Sequence, residues 1–565
     1  MSKNIGIIAF LIIAVATITG GFANKGLTKH FISQAANPTE KISDDYKSAM
    51  ELVEENYAGN YDYEKLAESS IQGMLWVLDP HSSFFTRTEF QKLREDQSSK
   101  FYGIGVSILQ HTDGVYVQAV VENTPAEKAG LKYGDRIAEV DGKDAREWST
   151  QEVMKNVRGE RGVSVKIKIE RAGVEKPLEF EIVRDAVPLP SIRNFFIVRP
   201  GIGYIGLTGG FQQTTEDELD EAIAKLKAQG MKQLILDLRG NPGGILPQAI
   251  AVSSRFLPYG QVVTSVKGRT EYSEPKYYKS NSKDVEDFPL IVLINQNSAS
   301  ASEIVAGAIQ DHGRGLIIGQ KSFGKGLVQQ VFNLSYGTGL TLTTARYYTP
   351  YGRSLQRDYS NGSIYDYYTH QDEEVSNENK NQGNTNTSAS PTPMPSPTPT
   401  PTPSGPAVQT AGGRVFYGGG GITPDLIVKP REFTQFRSKI ADAAFYFTRQ
   451  LVSAQIQGLE NYRINKTDAN HELRPTDFPI NDQIVEAFKS FIDKDTIVGL
   501  RSSQITEEMD FVKLRLRQEL VTAAYGNDNG NHVLLENDPV MLKAIEELPN
   551  SKKLAEVIFK NVLFG

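Results

Sequence analysis

The sequence predicts a multidomain α/β + β protein: an α/β core interrupted by a small β domain, with helical regions at both ends. Three observations predict this. The chain has 565 residues, more than a single hydrophobic core organises. From about 98 to 185 apolar residues alternate in short runs, whereas from 186 to about 350 strand-like runs take turns with helical stripes. Before residue 95 and after residue 431 the helical spacing prevails.

The elements follow in order. Lys3 precedes an apolar run from Ile5 to Ile18, and "TGGFAN" then brings small residues at Gly21 and Ala23. Residues 1–23 read as a signal peptide cleaved after Ala23 or as an uncleaved membrane anchor. Either reading predicts an exported protein, in the periplasm or at the outer face of the cytoplasmic membrane. Residues 38–95 read as helical: "SDDYKSAMELVEENY" aligns Tyr46, Met50 and Val53 on one stripe, with Ser43 as the N-cap. Residues 98–185 carry the strands "GIGVSIL", "GVYVQAVV", "DRIAEVDG" and "VSVKIKIER". In 186–365, "TTEDELDEAIAKLKAQG" offers a capping box from Thr215 to Glu218, a stripe of Leu219, Ile223 and Leu226, and a terminating Gly230. The strand "QLILDL", a glycine-rich turn, a further helix and the buried strand "LIVLIN" complete an α/β pattern. Residues 366–412 hold eight prolines between Pro391 and Pro406 and few apolar residues, so they read as a disordered insertion. "GRVFYGGGGITPDLIV" resumes strand character, which makes 413–431 the last strands of the interrupted core. Residues 432–565 are mostly helical.

Composition narrows the function. The chain has no cysteine, which excludes disulfides, thiolate metal sites and cysteine nucleophiles. A net charge of −7 with no long basic cluster argues against nucleic acid as a partner.

The stretch "IIGQKSFGKGLVQQ", residues 317–330, nearly spells a phosphate-binding loop. Gly326 stands where a hydroxyl should bind Mg²⁺, and "GLVQQVFNL" reads as a strand where a helix should start. The phosphate reading fails on both counts. A desolvated lysine can instead act as a general base, and such a base needs a nucleophile. "NQNSASASEIVAGAIQDHG" places Ser298, Ser300 and Ser302 where the strand "LIVLIN" passes into a helix, beside free amides that can stabilise an oxyanion. The plainer reading makes these serines N-caps. His312 is an alternative base, but a straight helix from Ser300 would put it about 18 Å away. His81, in "LDPHSSFF", reads as part of a structural turn.

With these residues in place, the run "NQNSASASEIVAGAIQDHGRGLIIGQKSFGKGLVQ" resembles the active-site region of the C-terminal processing peptidases, or tail-specific proteases. These are serine–lysine endopeptidases with an embedded PDZ domain. The resemblance implies an α/β serine–lysine peptidase core with an inserted PDZ domain. It implies Ser300 as nucleophile, Lys325 as general base and Gln329 as the residue that positions the lysine. Ala301 would supply one oxyanion-hole amide. The second would come from "LDLRGNPGG", with Gly244 favoured over Gly243, since glycine suits close approach of backbone to a scissile carbonyl. Arg239 and Asn241 are expected to hold that loop together. No metal, nucleotide or organic cofactor is expected.

By the same resemblance "FYGIGVSIL" is the peptide-binding edge of the PDZ domain. Tyr102, Gly103, Ile104, Gly105 and Val106 would offer amides to a terminal carboxylate, while the following strand pairs with the peptide. "ENTPAEKAGLKYGDRIAEVDG" is also PDZ-like, with Gly130, Gly134 and Gly142 as turn residues. Arg158 and Arg161 read as solvated surface charge. The expected partners are proteins or peptides with apolar C-termini, and the helical ends suggest a homodimer. The rival reading is a catalytically inactive PDZ scaffold on a peptidase fold, which would have no use for Ser300, Lys325 and Gln329 together.

Overall fold

In a computed structural model the structure describes residues 38–97, 99–269, 274–359, 405–410 and 413–564. The apolar run at 1–23 and most of the proline-rich stretch lie outside the described residues. None of the described helices is long and apolar enough to cross a membrane. The chain divides into two compact units, one ending at Met74 and one starting at Leu75.

The first unit contains the helix Pro38–Asn56 and most of the helix Tyr63–Trp76. Ser43 is not its N-cap: the first helix already starts at Pro38, where a missing N–H costs nothing. Of the stripe predicted to be apolar, Tyr46 and Val53 are exposed and Met50 is half-buried.

The second unit opens with strand β1 (Ser83–Phe85) and the helix Arg87–Gln97. A two-stranded stalk, β2 (Lys100–Gly103) paired antiparallel with β9 (Asp185–Pro188), leads into and out of the small β domain. That domain is a sheet in the order β3-β4-β5-β7-β8, formed by Val106–His111, Gly114–Val120, Arg136–Val140, Ser164–Glu170 and Leu178–Val183. The short β6 (Lys143–Asp144) pairs with β5. Strand β7 alternates buried Val165, Ile167 and Ile169 with outward lysines, the period-2 signal that the sequence carried. The helix Thr150–Val157 starts on a complete capping box between Ser149 and Glu152. Arg158 stacks on Phe101 at 4.1 Å and the exposed Arg161 pairs with Asp185 at 2.7 Å, so both arginines serve the stalk.

The core sheet runs β10-β11-β12-β15-β16-β21: Asn194–Arg199, Ile202–Gly206, Gln233–Asp237, Leu290–Ile294, Leu316–Gly319 and Leu426–Ile427. All neighbours are parallel except the edge pair β10–β11. Leu234, Leu236, Leu290, Val292 and Ile317 pack against the helices Thr215–Ala228, Leu246–Ser254 and Ala301–Asp311. Ile235, Ile291, Leu293 and Ile318 point the other way, onto Val540, Met541, Ala544 and Leu548 of the helix Pro539–Phe564. The helical tail therefore supplies the second layer of the core. The N-cap of the helix Thr215–Ala228 is Thr214, one residue before the predicted position. Thr214 Oγ1 bonds Glu218 Oε1 at 2.5 Å, and Thr215 is buried against Gln212 and Ser191.

A second sheet, β1-β18-β13-β14 with β17 on β18, adds Val262–Gly268 (β13), Lys276–Lys279 (β14), Leu327–Asn333 (β17) and Gly339–Tyr348 (β18). Strand β19 (Ala407–Gln409) pairs with β20 (Val415–Tyr417), so the stretch assigned to the disordered insertion contains a strand near its end. Further helices among the described residues include Pro125–Ala129, Gln435–Leu451, Asp482–Lys494 and Met509–Leu535, the last kinked at Gly526.

Candidate active site

Three loops meet at the carboxyl ends of β12, β15 and β16, the usual place for a site in an open parallel sheet. The first to consider leaves β15. Ser298 is buried and its Oγ donates to Leu238 O at 2.8 Å, while Ser302 is buried and donates to Asn241 O at 3.0 Å. Both are committed to loop structure. Ser300 is half-buried, at the N-cap position of the helix Ala301–Asp311, with φ +55°. That left-handed conformation is unfavourable for a residue with a Cβ and marks a strained turn of the kind found at functional sites. The Ala301 amide, first in the helix, has no acceptor among the described residues.

The second loop is "RGNPGG" after β12. Asn241 holds it: Nδ2 donates to Leu207 O at 2.7 Å, Oδ1 accepts the Gly243 amide at 2.8 Å, and its carbonyl accepts the Ala299 amide. Arg239 pairs with Asp237 and, at 2.8 Å, with Asp538. A Cβ on Gly243 would lie 2.7 Å from Ser300 Cβ, and one on Gly244 would lie 2.2 Å from Phe211 O. Both positions demand glycine. Because Gly243 has spent its amide on Asn241, the uncommitted N–H of the pair is that of Gly244.

The third loop, after β16, carries Lys325. Its Nζ donates to Gln329 Oε1 at 2.9 Å, and Gln329 Nε2 in turn donates to the carbonyl of His81. A β-bulge between Val328 and Gln329 interrupts the β17–β18 register there. Burial pushes the Lys325 ammonium below the usual lysine range, and the charges of Glu303 and Asp79 oppose that shift. A strand follows the lysine, not a helix, so the phosphate-loop geometry is absent.

His81 sits in a turn tied by Asp79, which accepts from the His81 and Ser82 amides and from Ser82 Oγ at 2.7–2.9 Å. Burial, then the Lys325 charge, pushes its imidazole down to about 3, which leaves it a poor base. His312 lies at the opposite end of the helix Ala301–Asp311, with Nε2 2.7 Å from Val262 O.

Sequence reasoning missed the residue that joins these loops. Glu303 is fully buried. Its Oε1 accepts from Ser322 Oγ at 2.5 Å and the Gly324 amide at 2.7 Å, and its Oε2 accepts the Ser300 and Lys325 amides, each at 2.8 Å. Burial raises its pKa against the four bonds, which favour the charged form. The S-x-x-E spacing from Ser300 to Glu303 was available as a capping-box signal. Gln356 was also missed. Its Oε1 accepts the Gly326 amide at 2.9 Å and so fixes the peptide just after the lysine.

In the small β domain Tyr102 and Gly103 belong to β2, while Ile104 and Gly105 turn the chain into β3. Gly105 has φ +88°, and its carbonyl accepts the Val121 amide at 2.9 Å. Amides alternate along an antiparallel strand, so Val106, opposite Val120, directs its N–H away from β4. Strand β3 is the edge of its sheet, with one side open to an added strand and the helix Thr150–Val157 alongside.

Comparison with known proteins gives matches over both the core and the small β domain. A family model described as Peptidase family S41 matches residues 201–368, and one described as PDZ domain matches 103–182. The carboxy-terminal-processing protease of Bartonella bacilliformis is 40% identical over 311 residues, covering 54% of this chain and 71% of that protein. The carboxy-terminal processing protease CtpA of Bacillus subtilis is 32% identical over 325 residues, or 57% and 69% of the two chains. Among solved structures, the photosystem II D1 C-terminal processing protease aligns over 55% of this chain and 83% of that one at 30% identity, with a TM-score of 0.33.

Proposed function

Because the chain belongs to the carboxy-terminal-processing proteases of peptidase family S41, with a PDZ domain, we propose that it is an exported serine endopeptidase that captures protein C-termini and cuts with a Ser300–Lys325 dyad. The observation that carries this reading is the half-buried Lys325 Nζ held by Gln329, on a turn whose amide shares the Glu303 carboxylate with the Ser300 amide.

In the proposed reaction Lys325 enters neutral, the form that burial favours. Its Nζ takes the proton from Ser300 Oγ as that oxygen attacks the peptide carbonyl. The oxyanion is held by the Ala301 and Gly244 amides, N–H groups beside the serine that have no acceptor among the described residues. The lysine ammonium then gives its proton to the leaving amine, and the C–N bond breaks to leave an acyl ester on Ser300. Water, deprotonated by the same lysine, hydrolyses the ester and restores the hydroxyl. Gln329 aims the amine, and Glu303 keeps the two loops in register.

The tail of the substrate would add to the open edge of β3, its carboxylate facing the amides of the Ile104–Val106 turn. Export rests on the apolar run at Ile5–Ile18. The test is to incubate purified protein and its Ser300→Ala variant with a protein ending in small apolar residues, then with a fluorophosphonate. Cleavage by wild type alone, with the phosphonyl mass on the Ser300 peptide, is the expected result. Equal cleavage by the variant overturns the reading.

A further inference from the structure

We infer that Asp79 is a positioning residue of the active site. Through the peptide unit between His81 and Ser82 it holds the Gln329 amide with its oxygen toward Lys325, so that the lysine keeps its lone pair for Ser300. The inference deepens the proposed Ser300–Lys325 dyad and rests on it.

The turn that carries this peptide unit is buried, with Asp79 6%, His81 8% and Ser82 0% exposed. Asp79 spends both carboxylate oxygens inside it. Oδ1 accepts the His81 and Ser82 amides at 2.8 and 2.9 Å, and Oδ2 accepts from Ser82 Oγ at 2.7 Å. The turn runs straight into β1, where Ser83 stands opposite Thr341 of β18. Thr343 of the same strand faces Gln329 of β17 on one side and donates its amide to Ser82 Oγ at 3.2 Å on the other. The register of β18 thus brings a carbonyl 248 residues earlier in the chain within reach of Gln329.

The peptide bonds of the described residues are trans. A trans peptide is planar and points its C=O and its N–H in opposite directions. The Ser82 N–H ends on Asp79 Oδ1, and across the same plane the His81 carbonyl accepts from Gln329 Nε2. Fixing one end of the unit fixes the other. A primary amide has donors at one end and an acceptor at the other. With Nε2 on the His81 carbonyl, Oε1 faces Lys325 and accepts from its Nζ at 2.9 Å. Turned over, the amide would donate into the lone pair of the neutral lysine, the electrons that must take the serine proton. The His81 carbonyl opposes that orientation, because oxygen would then face oxygen. The Asp79 charge by itself favours the ammonium, the wrong form for a base. The service of this carboxylate is therefore geometric.

The test is a double-mutant cycle in the full chain. Asp79→Ala is expected to lower kcat on a short peptide by about ten- to a hundredfold, with KM unchanged. Asp79→Asn keeps an Oδ1 for both amides and is expected to recover most of that loss. Gln329→Ala removes the group through which Asp79 acts, so adding Asp79→Ala to it should slow the enzyme by no more than about threefold further. Losses that multiply overturn the inference and leave Asp79 a residue of the fold alone, as does an Asp79→Ala protein that keeps its kcat. If Asp79→Ala lacks native circular dichroism, Asp79→Glu, whose carboxylate sits one methylene too far out, takes its place in the cycle. Lys325→Ala tells the two readings apart. An inactive Lys325→Ala with multiplying losses refutes the role of Asp79 alone, whereas an active one refutes the dyad and this inference with it.

Discussion

The backbone amides of Ser300 and Lys325 end on the same oxygen, Oε2 of Glu303, each at 2.8 Å. The serine and the lysine sit on loops after different strands, and this carboxylate makes their separation a property of one buried atom. Replacing it by an amide puts donors where only acceptors fit. Glu303→Gln is expected to cost about 1–3 kcal/mol of stability and to slow cleavage by at least about tenfold. Denaturant unfolding and fluorophosphonate labelling of Ser300 check the two effects separately. Unchanged labelling would assign Glu303 to folding alone.

The pH–rate profile reports the lysine. In the proposed reaction only neutral Lys325 accepts the serine proton, so the rate is expected to rise with pH through its pKa, which burial places below the ordinary 10.5. Gln329→Glu sets a carboxylate against the ammonium and favours the charged form. The rising limb is then expected to move to higher pH, with about tenfold less activity at neutral pH for each unit moved. A profile that keeps its position would show that Lys325 is not the titrating base.

The histidines are expected to stay outside catalysis. His81→Ala leaves its carbonyl in place for Gln329, and His312→Ala lies at the far end of the helix, so both should keep activity within a few-fold. A His312→Ala protein as inactive as Ser300→Ala, with native circular dichroism, would point to a histidine base.

Two histidines are expected to set the acid limit of stability. Burial holds His81 down to about 3, and burial with the Arg517 and Arg199 charges holds His532 down to about 4. The unfolded chain takes up these protons near 6.5 while the folded chain stays neutral. Stability is thus full above that pH and falls as pH drops toward 4 and 3. Urea midpoints at pH 7 and 4.5 measure the loss, and His532→Gln should make it smaller. An unchanged slope would remove His532 from the account.

Tail recognition has its own signature. Amidating the substrate's C-terminus removes the charge that the Ile104–Val106 amides would hold. A charge-assisted bond is worth about 1.5–3 kcal/mol, or about ten- to a hundredfold in affinity. Cleavage of a protein substrate at limiting concentration should fall at least several-fold, with a short peptide unaffected. Gly105→Ala should have the same effect, because its Cβ would lie 2.3 Å from Thr124 Cβ at a φ of +88°. Equal rates on free-acid and amidated proteins would remove this loop from recognition.

What the sequence revealed were signals confined to one segment. The strands of the β domain, the lysine turn and the serine at its strand-to-helix junction each announce themselves within a dozen residues. Contacts that join distant segments were not readable. Glu303 looks like half of a cap until Gly324 and Lys325 arrive, more than twenty residues later, to share it. Gln356 and the Asp79 turn carry no local mark of their service to the lysine loop. Tyr116 and Gln118 carry no local sign that helices more than three hundred residues away cover them. At Thr214 the miss was one residue: two adjacent threonines offer the same hydroxyl, and burial of Thr215 against Ser191 decides between them.

The helix Pro539–Phe564 has a consequence for how the enzyme is born. Ile235, Ile291, Leu293 and Ile318 are covered by Val540, Met541, Ala544 and Leu548, and the loops of Ser300 and Lys325 hang from those same strands. A ribosome that has just finished the lysine turn has made both residues of the proposed dyad, yet one face of the sheet beneath them is still greasy and bare. About two hundred more residues must be synthesised before that face closes. Proteolytic competence is in this way postponed to a late moment of biosynthesis, and a nascent chain stalled before residue 539 would be a client for chaperones and not yet a protease.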